Sequence, residues 1–297
     1  MTGHIVDTLI EERAGRLMRR PLVWKAVQRL LYPVLGYDKA IHMVNLLRDA
    51  GGREVFDWLS DRLHMQVSCE GLEHLPASGR AVILANHPAG IADGIAVYDA
   101  LKEKRPDMVF FANRDAIRAV PRLNEMIIPV EWMEHRRDHA RTKETVRGMV
   151  QAMRDERLIV IFPSGRLARP TLRGLVEREW MSSGVSIAQK YNCPIVPMHV
   201  RGTNSWLFYL LWFVNTELKD MTLFRELLNK TDQRYHLRLA LPVPGEGDAA
   251  ELTMRLREFV TGPLARGQAA VSDHFKPVPT ITSPEYASDA DSTGENP

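Results

Sequence analysis

The sequence has few of the features that mark exported or membrane-spanning proteins. It contains two cysteines in 297 residues, Cys69 and Cys193, which is too few for a disulfide framework. Its longest wholly apolar run, Trp206–Val214, has nine residues, less than half of the ~20 that a spanning helix needs. The first residues lack the basic start and apolar run of a signal peptide. We therefore expect a reducing compartment and no membrane-spanning helix.

A large excess of charge of either sign is also absent. The 39 Lys and Arg residues against 37 Asp and Glu give a net charge of +2, so a nucleic-acid partner is not expected. The charges are unevenly placed, because residues 277–297 contain four acids and no base and leave +6 for the rest. The 45% of hydrophobic residues is enough for the core of a folded protein.

Residues 1–63 are predicted to form a helical, basic and amphipathic arm. Apolar residues recur every three or four positions from Leu17 to Leu35, and every charged residue between Arg13 and Tyr37 is basic. Such a segment suits the surface of an anionic membrane. The alternative is a helix that packs on the next domain and leaves its basic face in water.

Residues 64–265 show short apolar runs alternating with helical stretches, which predicts an α/β domain with a largely parallel sheet flanked by helices. A further strand is expected at Tyr235–Leu241 and a helix near Ala249–Val260. Residues 275–297, rich in Pro, Ser and Asp, are predicted to be a disordered tail. The runs predicted as strands are Ala81–Ala85, Met108–Phe111, Ile127–Val130, Leu158–Phe162 and Pro194–Val200.

Two loops that follow predicted strands carry the residues most suited to chemistry. The first contains His87 and Asp93, a pair in which the histidine can act as a base and the carboxylate can orient it. The alternative is that His87 is a turn residue and Asp93 a helix cap. The second loop contains Gly165, Arg166 and Arg169, which suit an anion. Together the loops predict a site for a phosphorylated substrate.

Four motifs in this order resemble the glycerolphosphate and lysophospholipid acyltransferase superfamily over roughly residues 65–215. They are GLEHLP at 71–76, NHPAGIAD at 86–93, FPSGRLAR at 162–169 and PIVP at 194–197. Five residues separate His87 from Asp93, where most of the family has four. This spacing, with Ser164 in place of a family glutamate, is similar to the haemolysin-like bacterial branch.

The resemblance implies acyl transfer without a covalent enzyme intermediate. His87 would take the proton of the acceptor, Asp93 would orient His87, and backbone amides near Gly165, assisted by Arg166, would stabilise negative charge. The donor would be acyl-CoA or an acyl carrier protein, with no cofactor or metal ion. The acceptor would be a lysophospholipid or related lyso-lipid, of the 1-acylglycerol-3-phosphate type.

The resemblance also suggests residues for substrate binding and for membrane contact. The second family motif corresponds best to 127–132, where Trp132 replaces the expected arginine, so Arg136 or Arg137 would substitute. The apolar run is expected to touch a membrane; the alternative is an ordinary buried helix. The predicted substrate-binding residues are Asn86, Ser164, Gly165, Arg166, Arg169, Arg136 and Arg137, and those predicted to contact the membrane are Trp206, Phe208 and Trp212.

The expected location is cytoplasmic, with peripheral association to the inner membrane. Three alternatives stay open at this point. The acceptor could be an amino-acid-containing lyso-lipid, the protein could bind lipid without activity, or it could be a hydrolase with Ser164 as nucleophile. The hydrolase is the least favoured, because the sequence has no Gly-x-Ser-x-Gly turn.

Overall fold

The computed structural model of the chain describes residues 3–131, 138–172, 174–269 and 275. These residues form a seven-stranded sheet in the order β1-β9-β8-β2-β5-β3-β4 and a separate hairpin of β6 and β7. Neighbouring strands of the sheet are parallel except for β8 and β9. The strands are β1 Gln66–Glu70, β2 Ala81–Ala85, β3 Val109–Asn113, β4 Ile127–Val130, β5 Leu158–Ile161, β6 Arg169–Thr171, β7 Gly174–Val176, β8 Ile195–Arg201 and β9 Arg234–Leu239.

Helices cover both faces of the sheet. Central strand β2 shows the division, because Ile83 packs with helices from the N-terminal part of the chain, while Val82 and Leu84 pack with α8, α9 and α13 on the other face. The helices are α1 Ile5–Arg13, α2 Gly15–Met18, α3 Pro21–Leu35, α4 Tyr37–Leu47, α5 Gly52–Leu63, α6 Ile91–Leu101, α7 Asp115–Ala119, α8 His139–Arg154, α9 Ser183–Lys190, α10 Trp206–Val214, α11 Thr216–Met221, α12 Leu223–Leu228 and α13 Ala249–Thr261.

The predicted α/β architecture with a largely parallel sheet is confirmed. Strands β2 and β4 begin and end at the predicted residues, whereas β1 and the hairpin were not predicted. No helix within the described ranges is long and apolar enough to cross a bilayer.

Residues 5–63 are helical, as predicted, but they are not a separate arm. Val6, Trp24 and Leu35 belong to the same core as the strands, and Arg13 forms an ion pair of 2.6 Å with Asp115. The first residue of the predicted tail, Phe275, is also buried and packs edge-on against a phenylalanine of α13. Residues 276–297 lie outside the described part of the chain.

Candidate active site

The two loops singled out from the sequence lie side by side. Strand β2 is paired with β5 on one side and with β8 on the other, all parallel, so their carboxyl ends meet at one edge of the sheet. Ligand sites of open α/β sheets gather at such edges. Asn86 fastens the end of β2 to β8, because its side-chain amide exchanges hydrogen bonds of 2.9 and 2.7 Å with the Val200 backbone. Its polar atoms are thus engaged in the fold rather than directed at a substrate.

His87 and Asp93 are brought together. Asp93 is fully buried at the third position of α6, where its Oδ2 accepts hydrogen bonds of 2.8 and 2.9 Å from the backbone N–H groups of Ala89 and Gly90. His87 Nδ1 lies 2.9 Å from the same oxygen, at ion-pair distance but without hydrogen-bond alignment. Apo catalytic contacts are often poorly aligned and tighten with substrate. Asp93 therefore combines both roles considered for it, helix cap and histidine partner.

The loop between His87 and Asp93 turns at Gly90. This residue precedes α6 and has φ of +92°, a conformation that residues with a Cβ adopt at a cost. A Cβ at this position would also lie 3.3 Å from the side chain of Leu167. The loop bends here and returns Asp93 to His87.

The His87 side chain is held on several sides. Its imidazole stacks on the ring of Phe162 with the centroids 4.4 Å apart, and its backbone carbonyl accepts a 2.9 Å hydrogen bond from the Ala168 N–H. The side chain is 19% exposed, while Nδ1 is buried towards Asp93. This leaves Nε2 as the ring nitrogen that can meet a substrate.

The second loop differs in detail from the expectation. The Gly165 N–H donates to the Phe162 carbonyl at 2.9 Å, and Ser164 Oγ donates to the Arg166 carbonyl at 2.8 Å. The Gly165 amide is thus engaged within its own turn, and the expectation that amides near it stabilise negative charge, assisted by Arg166, stays a prediction. The Ser164 hydroxyl likewise points into the turn and makes no contact with His87 as a nucleophile would.

Arginines gather beside this loop. Ser164, Arg166 and Arg169 line a cavity of about 420 Å³ together with Val176, Arg178, Arg257 and two acids, Glu177 and Glu179, so four arginines outnumber two carboxylates there. Arg178 and Arg257, from the segment after β7 and from α13, were not identified from the sequence because they belong to no motif. Arg136 and Arg137 lie outside the described residues. Among the residues described, no group of three His, Cys, Asp or Glu side chains is arranged to hold a metal ion.

The charge of Asp93 acts on two further buried polar side chains, those of Tyr235 and Lys230. Neither Asp93 Oδ1 nor the Tyr235 hydroxyl has a hydrogen-bond partner among the described residues. Burial raises the pKa of the Tyr235 phenol, and the negative charge of Asp93 raises it further. Fully buried Lys230 donates to the Asn204 side chain at 2.9 Å and lies 3.4 Å from Glu226, and its burial lowers its pKa.

The apolar helix α10 presents one exposed stripe, which differs from the predicted membrane contacts. Trp206 is 74% exposed, so its predicted membrane contact stays a prediction, but Phe208 is 1% exposed and belongs to the core, so its assignment to the membrane is wrong. The ring of Trp212 is covered by Lys219, whose Nζ lies 4.5 Å from the ring centroid, and by Arg178 at 5.8 Å. The exposed apolar residues recur at helical spacing and are Trp206, Leu210, Phe213 and Val214.

The chain is similar to known acyltransferases. The family model described as acyltransferase matches residues 66–201. The chain is 22% identical over 249 residues to a lyso-glycine lipid O-acyltransferase of Phocaeicola vulgatus, covering 80% of this chain and 85% of the relative. It is also 22% identical over 206 residues to the protein of the same name from Bacteroides thetaiotaomicron, covering 69% and 73%.

Among solved structures, the 1-acyl-sn-glycerophosphate (LPA) acyltransferase PlsC from Thermotoga maritima aligns over 86% of this chain and 100% of its own, with a TM-score of 0.46 and 17% identity. The family match over both loops, together with the order of the motifs, identifies the class of protein as an acyltransferase. The resemblance to the glycerolphosphate and lysophospholipid acyltransferase superfamily that the motifs predicted is confirmed by these matches.

Proposed function

We propose that the protein is an O-acyltransferase that moves an acyl group from a thioester donor to the hydroxyl of an anionic lyso-lipid. The observation that carries the proposal is the contact of His87 with buried Asp93 beside an arginine-lined cavity. The names of the two relatives favour an amino-acid lyso-lipid, whose carboxylate would take the place of a phosphate. Arginine binds either anion through charge-assisted hydrogen bonds.

The reaction follows from the orientation of His87. Nε2 accepts the proton of the acceptor hydroxyl as the oxygen attacks the thioester carbonyl, and Asp93 stabilises the imidazolium that forms. The tetrahedral intermediate then expels the thiolate, which takes the proton from Nε2. Arg166 is the proposed electrostatic partner of the developing oxyanion. The donor is acyl-CoA or an acyl carrier protein, as a co-substrate rather than a bound cofactor.

We also propose that the enzyme works at the cytoplasmic face of a membrane. The first support for this proposal is the exposed stripe of α10. The second is α3, on which Leu22, Leu30 and Val34 are exposed beside Lys25 and Arg29. Exposed apolar residues among basic ones suit an anionic lipid surface.

Contacts between elements support a shared surface for these residues. Glu217 of α11 accepts hydrogen bonds from the backbone at Arg16 and Leu17, and Arg225 of α12 donates to the Val34 carbonyl at the end of α3. Because α11 follows α10 directly, α10 lies near the basic segment. Since Arg178 joins the cavity to Trp212, a lipid head in the cavity would have its tail along α10.

The test incubates the purified protein with acyl-CoA or acyl carrier protein and a panel of lyso-lipids, and detects products by mass spectrometry. We expect an O-acylated product from the lyso-glycine lipid, and none from a His87→Ala variant that unfolds at the same urea concentration as the wild type. Transfer to lysophosphatidic acid alone would replace the proposed acceptor with a phosphate-bearing one. Full activity of His87→Ala would overturn the mechanism.

A further inference from the structure

Glu177 is a buried carboxylate outside the four motifs. It follows β7 directly and is 7% exposed. Its Oε2 accepts a 3.0 Å hydrogen bond from the backbone N–H of His87, and its Oε1 accepts one of 3.2 Å from Trp180 Nε1. Burial of a carboxylate is unfavourable unless hydrogen bonds compensate it. One of the two compensating hydrogen bonds of Glu177 comes from the loop that begins at His87.

The segment around Glu177 is itself anchored. Arg257 of α13 donates to the backbone carbonyls of Glu177 and Arg178, at 2.8 and 2.7 Å. Arg178 in turn donates through Nε to the Leu167 carbonyl at 3.2 Å. The carboxylate thus projects from a backbone that is fastened both to a core helix and to the loop after β5.

Both backbone groups of His87, its N–H and its carbonyl, are therefore hydrogen-bonded to the segment from Ala168 to Glu177. Glu177 takes its N–H, and the Ala168 N–H bonds its carbonyl. Ser164 occupies the place where the family carries a glutamate, and its hydroxyl stays within its own turn. Besides Asp93, the loop that begins at His87 is therefore bonded by the carboxylate of residue 177, thirteen positions beyond Ser164 in the chain.

We propose that Glu177 is a positioning residue for the reaction of His87. The loop from His87 to Asp93 has one residue more than most of the family, which gives its backbone additional freedom that an anchor must remove. The bond to Glu177 fixes the peptide so that Nδ1 meets Asp93 and Nε2 stays available to the substrate. Small displacements of a reacting group lower rates strongly, about 100-fold for 1 Å. The inference rests on the proposed acyl transfer.

The kinetic test compares Glu177→Ala and Glu177→Gln with the wild type. We expect Glu177→Ala to lower kcat by about 10- to 100-fold, which is more than it changes either KM value; because Glu177 also lines the cavity, the acceptor KM reports its effect on binding separately. Glu177→Gln keeps an oxygen that can accept from the His87 N–H, so it should recover most of the lost kcat. Glu258→Ala, which removes an exposed glutamate of α13, is the control and should behave as the wild type.

Two kinetic results would overturn the assignment. One is a Glu177→Ala enzyme whose kcat stays within twofold of the wild type. The other is a Glu177→Gln enzyme as slow as Glu177→Ala, because the hydrogen bond to the backbone would then not be the cause. If Glu177→Ala does not fold, the kinetics of Glu177→Gln decide the question, and a moderately lowered kcat is the expected result.

Hydrogen–deuterium exchange supplies a readout that does not depend on activity. In Glu177→Gln and Glu177→Ala the amide of His87 should exchange progressively faster, by at least tenfold in the alanine variant, while the amides of β8 keep their wild-type rates. Unchanged exchange at His87 would overturn the proposal. An inactive wild type would instead contradict the proposed acyl transfer. The exchange rates would then still show whether Glu177 fixes the His87 amide.

Discussion

Asp93 Oδ2 caps the N-terminus of α6 and lies 2.9 Å from Nδ1 of His87 at the same time. The oxygen that accepts the Ala89 and Gly90 N–H groups is also the oxygen that faces the imidazole. Helix geometry thereby determines where the carboxylate lies, and the carboxylate determines which ring nitrogen faces the substrate. Substitutions at this residue can separate the two roles, because only one of them needs a negative charge.

Asp93→Asn tests this separation. An asparagine keeps an oxygen for the backbone N–H groups, so the free energy of unfolding should fall by no more than about 2 kcal/mol. It loses the charge that stabilises the imidazolium, so kcat should fall by roughly 10²- to 10⁴-fold. Urea unfolding and product formation measure the two effects. Asp248→Asn, at the N-cap of α13, is the control and should retain activity; an active Asp93→Asn would remove the dyad from the mechanism.

Gly90→Ala tests the bend in the loop between His87 and Asp93. With φ of +92° and a Cβ only 3.3 Å from Leu167, alanine should lower the free energy of unfolding by about 1–2 kcal/mol and disturb the approach of Asp93 to His87. We expect a loss of kcat larger than that of Gly79→Ala. Gly79 has φ of +79°, and a Cβ at this position would have no atom within 4 Å. Alanine there imposes a similar backbone strain but lies outside the site. Equal activity of the two variants would contradict the prediction.

The sequence predicted those parts of the site that follow directly from strands. Five consecutive apolar residues defined β2, and the loops after β2 and β5 had to meet because the strands are parallel neighbours. Glu177 and Arg257 could not be found in this way. They reach their partners His87 and Glu177 across 90 and 80 residues, and no local pattern marks such contacts.

The residues predicted to contact a membrane show a second limit of sequence reasoning. All nine residues of Trp206–Val214 are apolar, so no polar position distinguishes the buried face of the helix from the exposed one. Phe208 was assigned to the membrane face for this reason, although tertiary packing places it in the core. Leu210, Phe213 and Val214 became candidates only when the orientation of the helix was known.

The buried imidazole of His199 should make the free energy of unfolding depend on pH. Burial lowers the pKa of this imidazole to about 4 from 6.5, and its Nδ1 lies 3.0 Å from the Val260 carbonyl. Between these pKa values the unfolded chain binds a proton that the folded protein excludes, so the free energy of unfolding falls as pH falls. The contribution of His199 at pH 5.5 should be roughly 1 kcal/mol lower than at pH 7.5.

Urea unfolding of the wild type and His199→Gln at both pH values checks this prediction. Glutamine can donate to the Val260 carbonyl but does not titrate, so the variant should lose less stability on acidification than the wild type. Ionisable groups common to both proteins cancel in the comparison. An equal loss in the two proteins would show that His199 is not the group responsible.

Vesicle binding tests the exposed stripe of α10. In a Trp206→Ser/Leu210→Ser/Phe213→Ser variant the three largest exposed apolar side chains of the helix are removed. Because burial of one such side chain contributes about 1.5–3 kcal/mol, binding to vesicles that contain anionic lipid should weaken by at least about tenfold. Flotation on a density gradient measures this. The matched control is Leu241→Ser/Met254→Ser, which removes half-exposed apolar residues outside α10 and should float as the wild type does.

The same variants distinguish membrane contact from catalysis. Transfer to an acceptor presented in vesicles should fall with the loss of binding, whereas transfer to a short-chain acceptor in solution should keep its kcat, because His87 and Asp93 are untouched. Raising the salt concentration should weaken wild-type binding through screening of Lys25 and Arg29, which lie exposed on α3. If the triple variant floats with the vesicles as the wild type does, α10 is not the membrane contact, and its exposed stripe needs another partner.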